Sequence, residues 1–209
     1  MKFRIILILV LLTFFIGRLS AQGRFELENP SFEIGILGTG QVPAGWIDLG
    51  YEGMTPVDIQ PGFWEVFMPP QDGDQFVGMV VRDNNTWEGI GQKLKGILEK
   101  DSTYTFSIWL AKSTVYKSRS MLSNGEILNF KAPTILKVWG YNSSTGAEEL
   151  MAESLPIGSA KWTQYTFELT PQDSDYDEIE LTVYYAPGHE KENGNLLIDN
   201  CSDIIRIKK

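Results

Sequence analysis

Alternation of apolar and polar residues over short segments is the feature that most constrains the fold of this chain. Near the C-terminus, Ile179, Leu181 and Val183 alternate with Glu180 and Thr182. A period of two places one set of side chains on each face of a β-strand, with one face buried and the other facing solvent. Strands of this half-polar kind suit antiparallel sheets better than parallel ones, whose strands are buried on both faces. We therefore expect an antiparallel β protein.

The rest of the chain supports many short strands separated by turns rich in Gly, Pro, Asn and Asp. No segment carries a long helical apolar period, and only residues 95–99 allow a short helix or turn. Residues 56–73 and 113–133 are expected to be long and irregular. The predicted fold class is all-β, an antiparallel two-sheet β-sandwich. The predicted strands are residues 25–28, 75–82, 87–93, 103–112, 134–141, 161–169, 178–185, 195–200 and 203–207.

The N-terminus has the three-part layout of a secretory signal. Lys2 and Arg4 precede an apolar run at residues 5–16, and Ala21 provides the small residue at the cleavage point. The run is shorter than the roughly 20 residues of a membrane span. We expect cleavage after Ala21, a single domain at residues 22–209, a secreted or periplasmic location and no membrane insertion of the mature chain. An uncleaved membrane anchor is the alternative.

Charge and cysteine content narrow the partners and the sources of stability. The formal net charge is −9. Cleavage of the signal segment would make the charge of the mature chain more negative, because that segment contains basic residues and no acidic ones. An acidic chain repels nucleic acid at long range, so no nucleic-acid partner is expected. Cys201 is the one cysteine. An intrachain disulfide is therefore excluded, and Cys201 is predicted to be a small core residue.

Several blocks of sequence, taken in order, resemble the galactose-binding-like jelly rolls, which include carbohydrate-binding modules of bacterial cellulases and xylanases. The blocks span nearly the whole mature chain. They are residues 28–33 with 43–46, residues 73–79, residues 88–94 running into 104–109, and Trp162 with Tyr165 followed by residues 195–200.

Residues 136–141 through 149–154 resemble more particularly a group of secreted, largely uncharacterised Bacteroidetes proteins with this fold. That resemblance implies a cell-envelope setting and no defined activity.

The resemblance also implies a structural calcium ion. Related sugar-binding jelly rolls commonly hold calcium between the first strand, an early loop and the last strands. The matching acidic residues are Glu33 and Asp199, and the loop ligand is Asp72 or Asp74. Calcium takes six to eight oxygen ligands from carboxylates and carbonyls. The alternative is that these carboxylates only accept hydrogen bonds at strand ends.

Catalytic motifs are scarce in the sequence. His189 is the one histidine, which rules out a His-rich metal site. The chain has no Gly-x-Ser-x-Gly motif. Paired carboxylates remain open on residue count, with Glu180 and Glu88 as strand-surface candidates for a hydrolase pair. We expect no enzyme activity.

The aromatic residues point to ligand binding more clearly than the acidic residues point to catalysis. The chain has six tryptophans, and flat rings with nearby polar groups are typical of ligand sites. Strand parity places Trp109, Trp139, Tyr184 and Glu180 on the more polar faces of their strands. If these faces meet, they form a glycan-binding surface, which Trp64 would flank from a long loop. Trp46 and Trp162 are expected in the core.

The sequence therefore predicts non-catalytic binding of an oligo- or polysaccharide. The first alternative is a structural or protein-interaction module of the cell envelope. The second alternative is a small glycan-active hydrolase.

Overall fold

A computed structural model of the protein describes residues 23–51, 54 and 56–208. The predicted signal segment, residues 1–21, lies outside this part of the chain. No helix long and apolar enough to span a membrane occurs among the described residues. The described chain forms strands connected by turns and loops. In chain order they are β1 (Arg24–Phe25), β2 (Ile47–Asp48), β3 (Asp58–Gln60), β4 (Phe76–Arg82), β5 (Thr86–Trp87), β6 (Gly89–Leu98), β7 (Thr103–Ala111), β8 (Lys117–Arg119), β9 (Ile127–Asn129), β10 (Thr134–Asn142), β11 (Ala147–Glu153), β12 (Thr163–Leu169), β13 (Tyr176–Tyr185), β14 (Gly194–Asp199) and β15 (Ile204–Lys208).

These strands form two sheets and a hairpin. The first sheet follows the order β1-β15-β7-β14-β4-β3, with β12 also paired to β7 and β5 to β4. The second sheet follows the order β11-β10-β13-β6-β2, and β8 and β9 form the hairpin. Each pairing between these strands is antiparallel. The predicted all-β, antiparallel two-sheet sandwich is confirmed.

The main apolar core lies between the two sheets. In β7, Tyr104, Phe106 and Ile108 are fully buried, and they meet Leu181 and Val183 of β13 in one cluster. Burial of apolar surface on the inner face of each strand is the main force that holds stacked sheets together. Cys201 belongs to this core, as predicted.

A second apolar cluster covers the outer face of the first sheet. Residues of β4, β7 and β14 pack there against the loop at residues 61–70 and against the chain around the β8–β9 hairpin. The buried members are Val66, Phe76, Val80, Ala111, Tyr116, Phe130 and Leu197. The part of this outer face that β4 and β14 form is therefore covered by the chain itself. By contrast, no such second cluster forms on the outer face of the second sheet within the described chain.

The structure differs from the expected local structure in three respects. Residues 95–99 do not form a helix or turn, because β6 continues to Leu98, which pairs with Tyr176. The sequence also missed β11, whose residues include Ala, Glu and Met, which have weak strand propensity. Pairing with residues 137–142 of β10 forms β11 regardless of that propensity. The two segments expected to be irregular contain β3 and the β8–β9 hairpin.

Gly140, in the second sheet, offers a test of how tightly the core is packed. A Cβ atom at Gly140 would lie 2.6 Å from the ring of the fully buried Tyr176. We expect Gly140→Ala to lower the free energy of unfolding by roughly 1–3 kcal/mol, because overpacking forces the ring or the strand to shift. Gly158→Ala is the matched control, since a Cβ there meets no atom within 4 Å. Denaturant unfolding of both variants measures the difference, and equal midpoints would contradict this packing.

Candidate functional site

The structure brings three of the predicted site residues together on the outer face of the second sheet. Trp139 of β10 is the cross-strand partner of Glu180 on β13, and Tyr184 lies further along β13. Directly opposite residues on one face of an antiparallel pair have Cβ atoms about 4.5–5.5 Å apart. We call this surface the candidate face. Its members are Trp139, Glu180, Tyr184, Lys137, Thr182, Glu178 and Glu148, with Trp87 and Tyr51 adjoining it.

The ring of Trp139 is held in a fixed orientation on this face. Its indole Nε1–H donates a hydrogen bond of 2.9 Å to Oγ1 of Thr182. The side chain is half-buried, and it belongs to neither of the two apolar clusters described above. A half-buried ring with its polar edge already bonded leaves an apolar surface available to a ligand.

Tyr184 belongs to an aromatic group at one end of the candidate face. Its ring lies 4.7 Å from that of Trp87 in an edge-on arrangement, and Trp87 lies 5.1 Å from Tyr51. The ammonium of Lys137 lies 4.0 Å from the centre of the Tyr184 ring and 5.7 Å from that of Trp139. Tyr184 and Trp87 also pack in part against the main core. These two rings therefore contribute to stability as well as to the surface.

Carboxyl groups occupy the other end of the candidate face. Glu178 and Glu180 expose only 7% and 9% of their surface. Burial, together with the charges of Glu148 and Glu178, raises the pKa of Glu180 to about 7. A hydrogen bond from protonated Glu180 to Glu148 adds to this shift. Burial and the neighbouring Asp177 also raise the pKa of Glu178, against the opposing charge of Lys93.

The structure does not bring Trp109 to the candidate face, and the expectation that its polar face joins those of Trp139 and Tyr184 was wrong. Trp109 lies on the outer face of the first sheet, where it pairs with Asp199 of β14 and Gln164 of β12. The two polar faces belong to different sheets and point to opposite sides of the sandwich. Parity within a strand shows which residues share a face, but not which sheet the strand joins.

Trp64 also lies apart from the candidate face. It packs against the second apolar cluster, on the outer face of the first sheet. Trp162 packs against the same cluster, with its ring 5.5 Å from that of Phe76, and its indole N–H donates to the carbonyl of Pro69. Trp46, by contrast, is buried in the main core as expected.

Glu88 does not lie on a strand surface as a partner for Glu180. It is 3% exposed and forms an ion pair with the equally buried Arg82. Its carboxylate also accepts the backbone N–H of Val80 at 3.0 Å. Burial raises the pKa of Glu88 to about 8 although the charge of Arg82 opposes the shift. This carboxyl group is enclosed in the protein and has no access to a polymer substrate.

Two of the predicted calcium ligands, Glu33 and Asp199, accept hydrogen bonds from backbone amides. The Glu33 carboxylate accepts the N–H groups of Asp74 and Gln75 at 2.9 and 3.0 Å. The fully buried Asp199 accepts those of Gln71 and Asp72 at 2.8 and 3.1 Å. The Asp74 side chain is exposed.

No group of three or more acidic, His or Cys side chains that could hold a metal occurs among the described residues. These side chains alone therefore do not supply the oxygen set that calcium requires. Calcium binding stays a prediction from the resemblance.

The sequence analysis missed three side chains that shape the candidate face: Trp87, Glu178 and Glu148. Strand parity could have identified Trp87, because it shares its parity with Gly89 and Gly91. These two glycines lie on the outer face of β6, opposite Thr182 and Glu180. Glu178 shares the parity of Glu180 and was equally accessible to this reasoning. Glu148 was not, because β11 has no strand signal of its own.

Comparison with known proteins places the fold among solved β-sandwich structures and identifies no family. No protein-family model matches the chain, and no curated protein matches it either. A cyclase from Fischerella sp. TAU has a TM-score of 0.54 and 12% identity, and the match covers 88% of this chain and 97% of that one.

Two structures that contain a CBM22-1 domain are also similar in fold. The CBM22-1 xylan-binding domain of Paenibacillus barcinonensis Xyn10C has a TM-score of 0.50 and 15% identity over 86% of this chain and 92% of that one. The CBM22-1–GH10 modules of Clostridium thermocellum Xyn10B, complexed with xylohexaose, have a TM-score of 0.50 and 16% identity over 88% of this chain and 29% of that one. At these identities the similarity shows the fold alone.

The carboxyl cluster leads to a pH-dependent difference in stability. The pKa of Glu180 is raised from 4.5 to about 7 in the folded protein. Between these values the folded state binds more protons than the unfolded chain. The group's contribution to stability is therefore full below about pH 4.5 and is lost as the pH rises through about 7. We expect Glu180→Gln to raise Tm relative to wild type at about pH 8, by roughly 2 °C or more, and not at about pH 4.

Glu168→Gln serves as the control for this experiment. Glu168 is an exposed carboxyl on β12 in the other sheet. Thermal melts of wild type and both variants across this pH range give the comparison. A difference between Glu180→Gln and wild type that does not change with pH would contradict the arrangement of Glu180 beside Glu148.

Melting curves also test the calcium prediction. If calcium binds near Glu33 and Asp199, added calcium raises Tm and a chelator lowers it. At a calcium concentration of 100 times the dissociation constant, binding adds about 2.7 kcal/mol to the free energy of unfolding. Glu33→Ala abolishes that response. Identical melting curves of the wild type with calcium and with chelator would show that the two carboxylates act only on the backbone amides.

Proposed function

We propose that this protein binds carbohydrate, without catalysing a reaction, through the candidate face on its second sheet. The observation that carries the proposal is the environment of Trp139. Its ring lies outside both apolar clusters, is oriented by a hydrogen bond to Thr182 and neighbours the carboxyl group of Glu180. An apolar ring face beside fixed polar groups matches a sugar ring, which presents C–H groups on its faces and hydroxyl groups around its rim.

Polar groups for the hydroxyls of a sugar are present on the same face. Ionised carboxylates accept hydrogen bonds, and such charge-assisted bonds are stronger than those between neutral groups. Glu148 is exposed and can accept such bonds directly, whereas Glu178 and Glu180 expose only 7% and 9% of their surface. The xylan-binding domains of similar fold support carbohydrate as the first ligand class to test.

The arrangement of the carboxyl groups favours binding over glycoside hydrolysis. A hydrolase needs two carboxyl groups on either side of the scissile bond, separated by about 5 Å or more. Glu180 and Glu148 instead lie on the same side of one sheet, on β13 and β11 with β10 between them, and do not face each other across a cleft. The cyclase of similar fold shows that catalysis occurs on such a scaffold. Product analysis after incubation with glycans tests this point, and unchanged glycans are the expected result.

We propose a secreted or periplasmic location, on the basis of the signal layout at residues 1–21. N-terminal mass analysis of the protein from its native envelope tests cleavage after Ala21.

One observation favours a protein-interaction module as the second candidate function. Ile34, Ile36 and Leu37 lie in one short segment and expose 64%, 77% and 44% of their surface. Contiguous exposed apolar groups can mark a protein contact. This alternative predicts that the purified protein binds no glycan.

Binding should depend on Trp139 much more than stability does. We expect Trp139→Ala to weaken retention of a bound glycan by at least about tenfold, which corresponds to ~1.4 kcal/mol. The free energy of unfolding should fall by only about 0.5–1.5 kcal/mol, the scale of one lost hydrogen bond. Truncating a buried core Trp costs more, about 3–5 kcal/mol. Glycan arrays identify the ligand, and calorimetry and denaturant midpoints measure the two quantities.

Trp109→Ala is the matched control for this prediction. Trp109 is also half-buried, but it lies on the first sheet. Its truncation should leave the glycan affinity unchanged. Loss of affinity in Trp109→Ala with normal affinity in Trp139→Ala would place the binding site on the other side of the sandwich.

A further inference from the structure

The candidate face carries an excess of negative charge. Its carboxyl groups are Glu148, Glu178 and Glu180, and Glu153 on β11 is the exposed cross-strand partner of Lys137. Two lysines lie among them. The ammonium of Lys93 is 3.4 Å from the carboxylate of Asp177 and accordingly partly neutralised. The ammonium of Lys137 lies over the rings of Tyr184 and Trp139.

The acidic groups of this face lie close enough to affect one another. The charges of Glu148 and Glu178 both disfavour the ionised form of Glu180. Glu178 sits two residues from Glu180 on the same face of β13. A further anion brought to this surface would meet like charges in a partly buried setting. The whole chain adds to this effect at longer range, since its formal net charge is −9.

From this charge pattern we infer that the candidate face selects uncharged glycans and rejects those that carry carboxylate or sulfate groups. The inference rests on the proposed function. A neutral sugar hydroxyl donates a hydrogen bond to a carboxylate, whereas an anionic substituent placed at the same position is repelled. Like-charge contacts of this kind exclude wrong partners in protein interfaces. The discrimination comes from Glu148 and Glu178, while the rings supply contact that both kinds of glycan can use.

Paired derivatives of the same polysaccharides test the inference. Soluble cellulose, xylan, β-1,3-glucan and galactomannan are each prepared in hydroxyethyl and carboxymethyl forms of equal substitution, so that the substituents differ mainly in charge. We expect the purified protein to bind the carboxymethyl form of its ligand at least about tenfold more weakly at low salt. The gap should narrow at high ionic strength, because salt screens exposed charges.

Substitutions test whether the carboxyl groups of the candidate face cause the weaker binding of the carboxymethyl form. The double variant Glu148→Gln with Glu178→Gln should lose most of the difference between the two forms, and it keeps hydrogen-bonding groups of similar size. Glu168→Gln, on the other sheet, should keep it. Equal binding of both forms by the wild type, or tighter binding of the carboxymethyl form, would overturn the inference and leave the proposed function standing. If neither form nor the parent polysaccharides bind, both the inference and the proposed function fail.

Discussion

The division of β13 into an apolar and a polar face is the constraint on which the rest of the structure depends. β13 lies inside the second sheet, between β10 and β6. Its inward residues Ile179, Leu181 and Val183 are fully buried in the main core. The outward set begins at Glu178 and ends at Tyr184. Because the pleat turns successive side chains to opposite sides, packing of the inner set fixes the position of the outer set. A one-residue slip would turn the carboxyl groups toward the core and the apolar set outward.

Because the outer residues of β13 are fixed in position, the candidate face is suited to binding a ligand. Sites on strands are held more precisely than sites on loops. Trp139 is aligned with Glu180 by the register between β10 and β13 and is further oriented by Thr182. Loops and the β8–β9 hairpin cover part of the outer face of the first sheet, whereas no such second apolar cluster forms on the second sheet among the described residues. The two outer faces of the sandwich therefore differ in how far the chain itself covers them.

Much of the fold and part of the candidate face could be predicted from sequence, because alternation is a local property. It indicated which residues of β7, β10 and β13 point away from the core. Which sheet each strand joins is decided by long-range pairing, and for that reason Trp109 and Trp139 were wrongly expected on one surface. Glu88 was misjudged for a related reason. Its burial depends on the ion pair with Arg82, and such a pair has no sequence signal in a chain with many acidic residues.

Two carboxylates connect segments that lie far apart in the sequence. Asp199, at the end of β14, accepts backbone amides of Gln71 and Asp72, and Glu33 accepts those of Asp74 and Gln75. The loop at residues 71–75 is thus tied to both an early and a late segment of the chain. The resemblance identified Glu33 and Asp199 as a related pair, but their bonding partners are amides that only the three-dimensional structure reveals.

The indole N–H signals of the six tryptophans test the central claim, that ligands bind on the second sheet at Trp139. The protein is labelled with nitrogen-15 and titrated with neutral xylo-, cello- and manno-oligosaccharides while these signals are followed by NMR. Trp46 and Trp162 donate their indole N–H groups to backbone carbonyls elsewhere and serve as internal references. A shift confined to Trp139, with or without its neighbour Trp87, is the predicted result. Shifts of Trp109, Trp64 or Trp162 with an unchanged Trp139 signal would contradict the account.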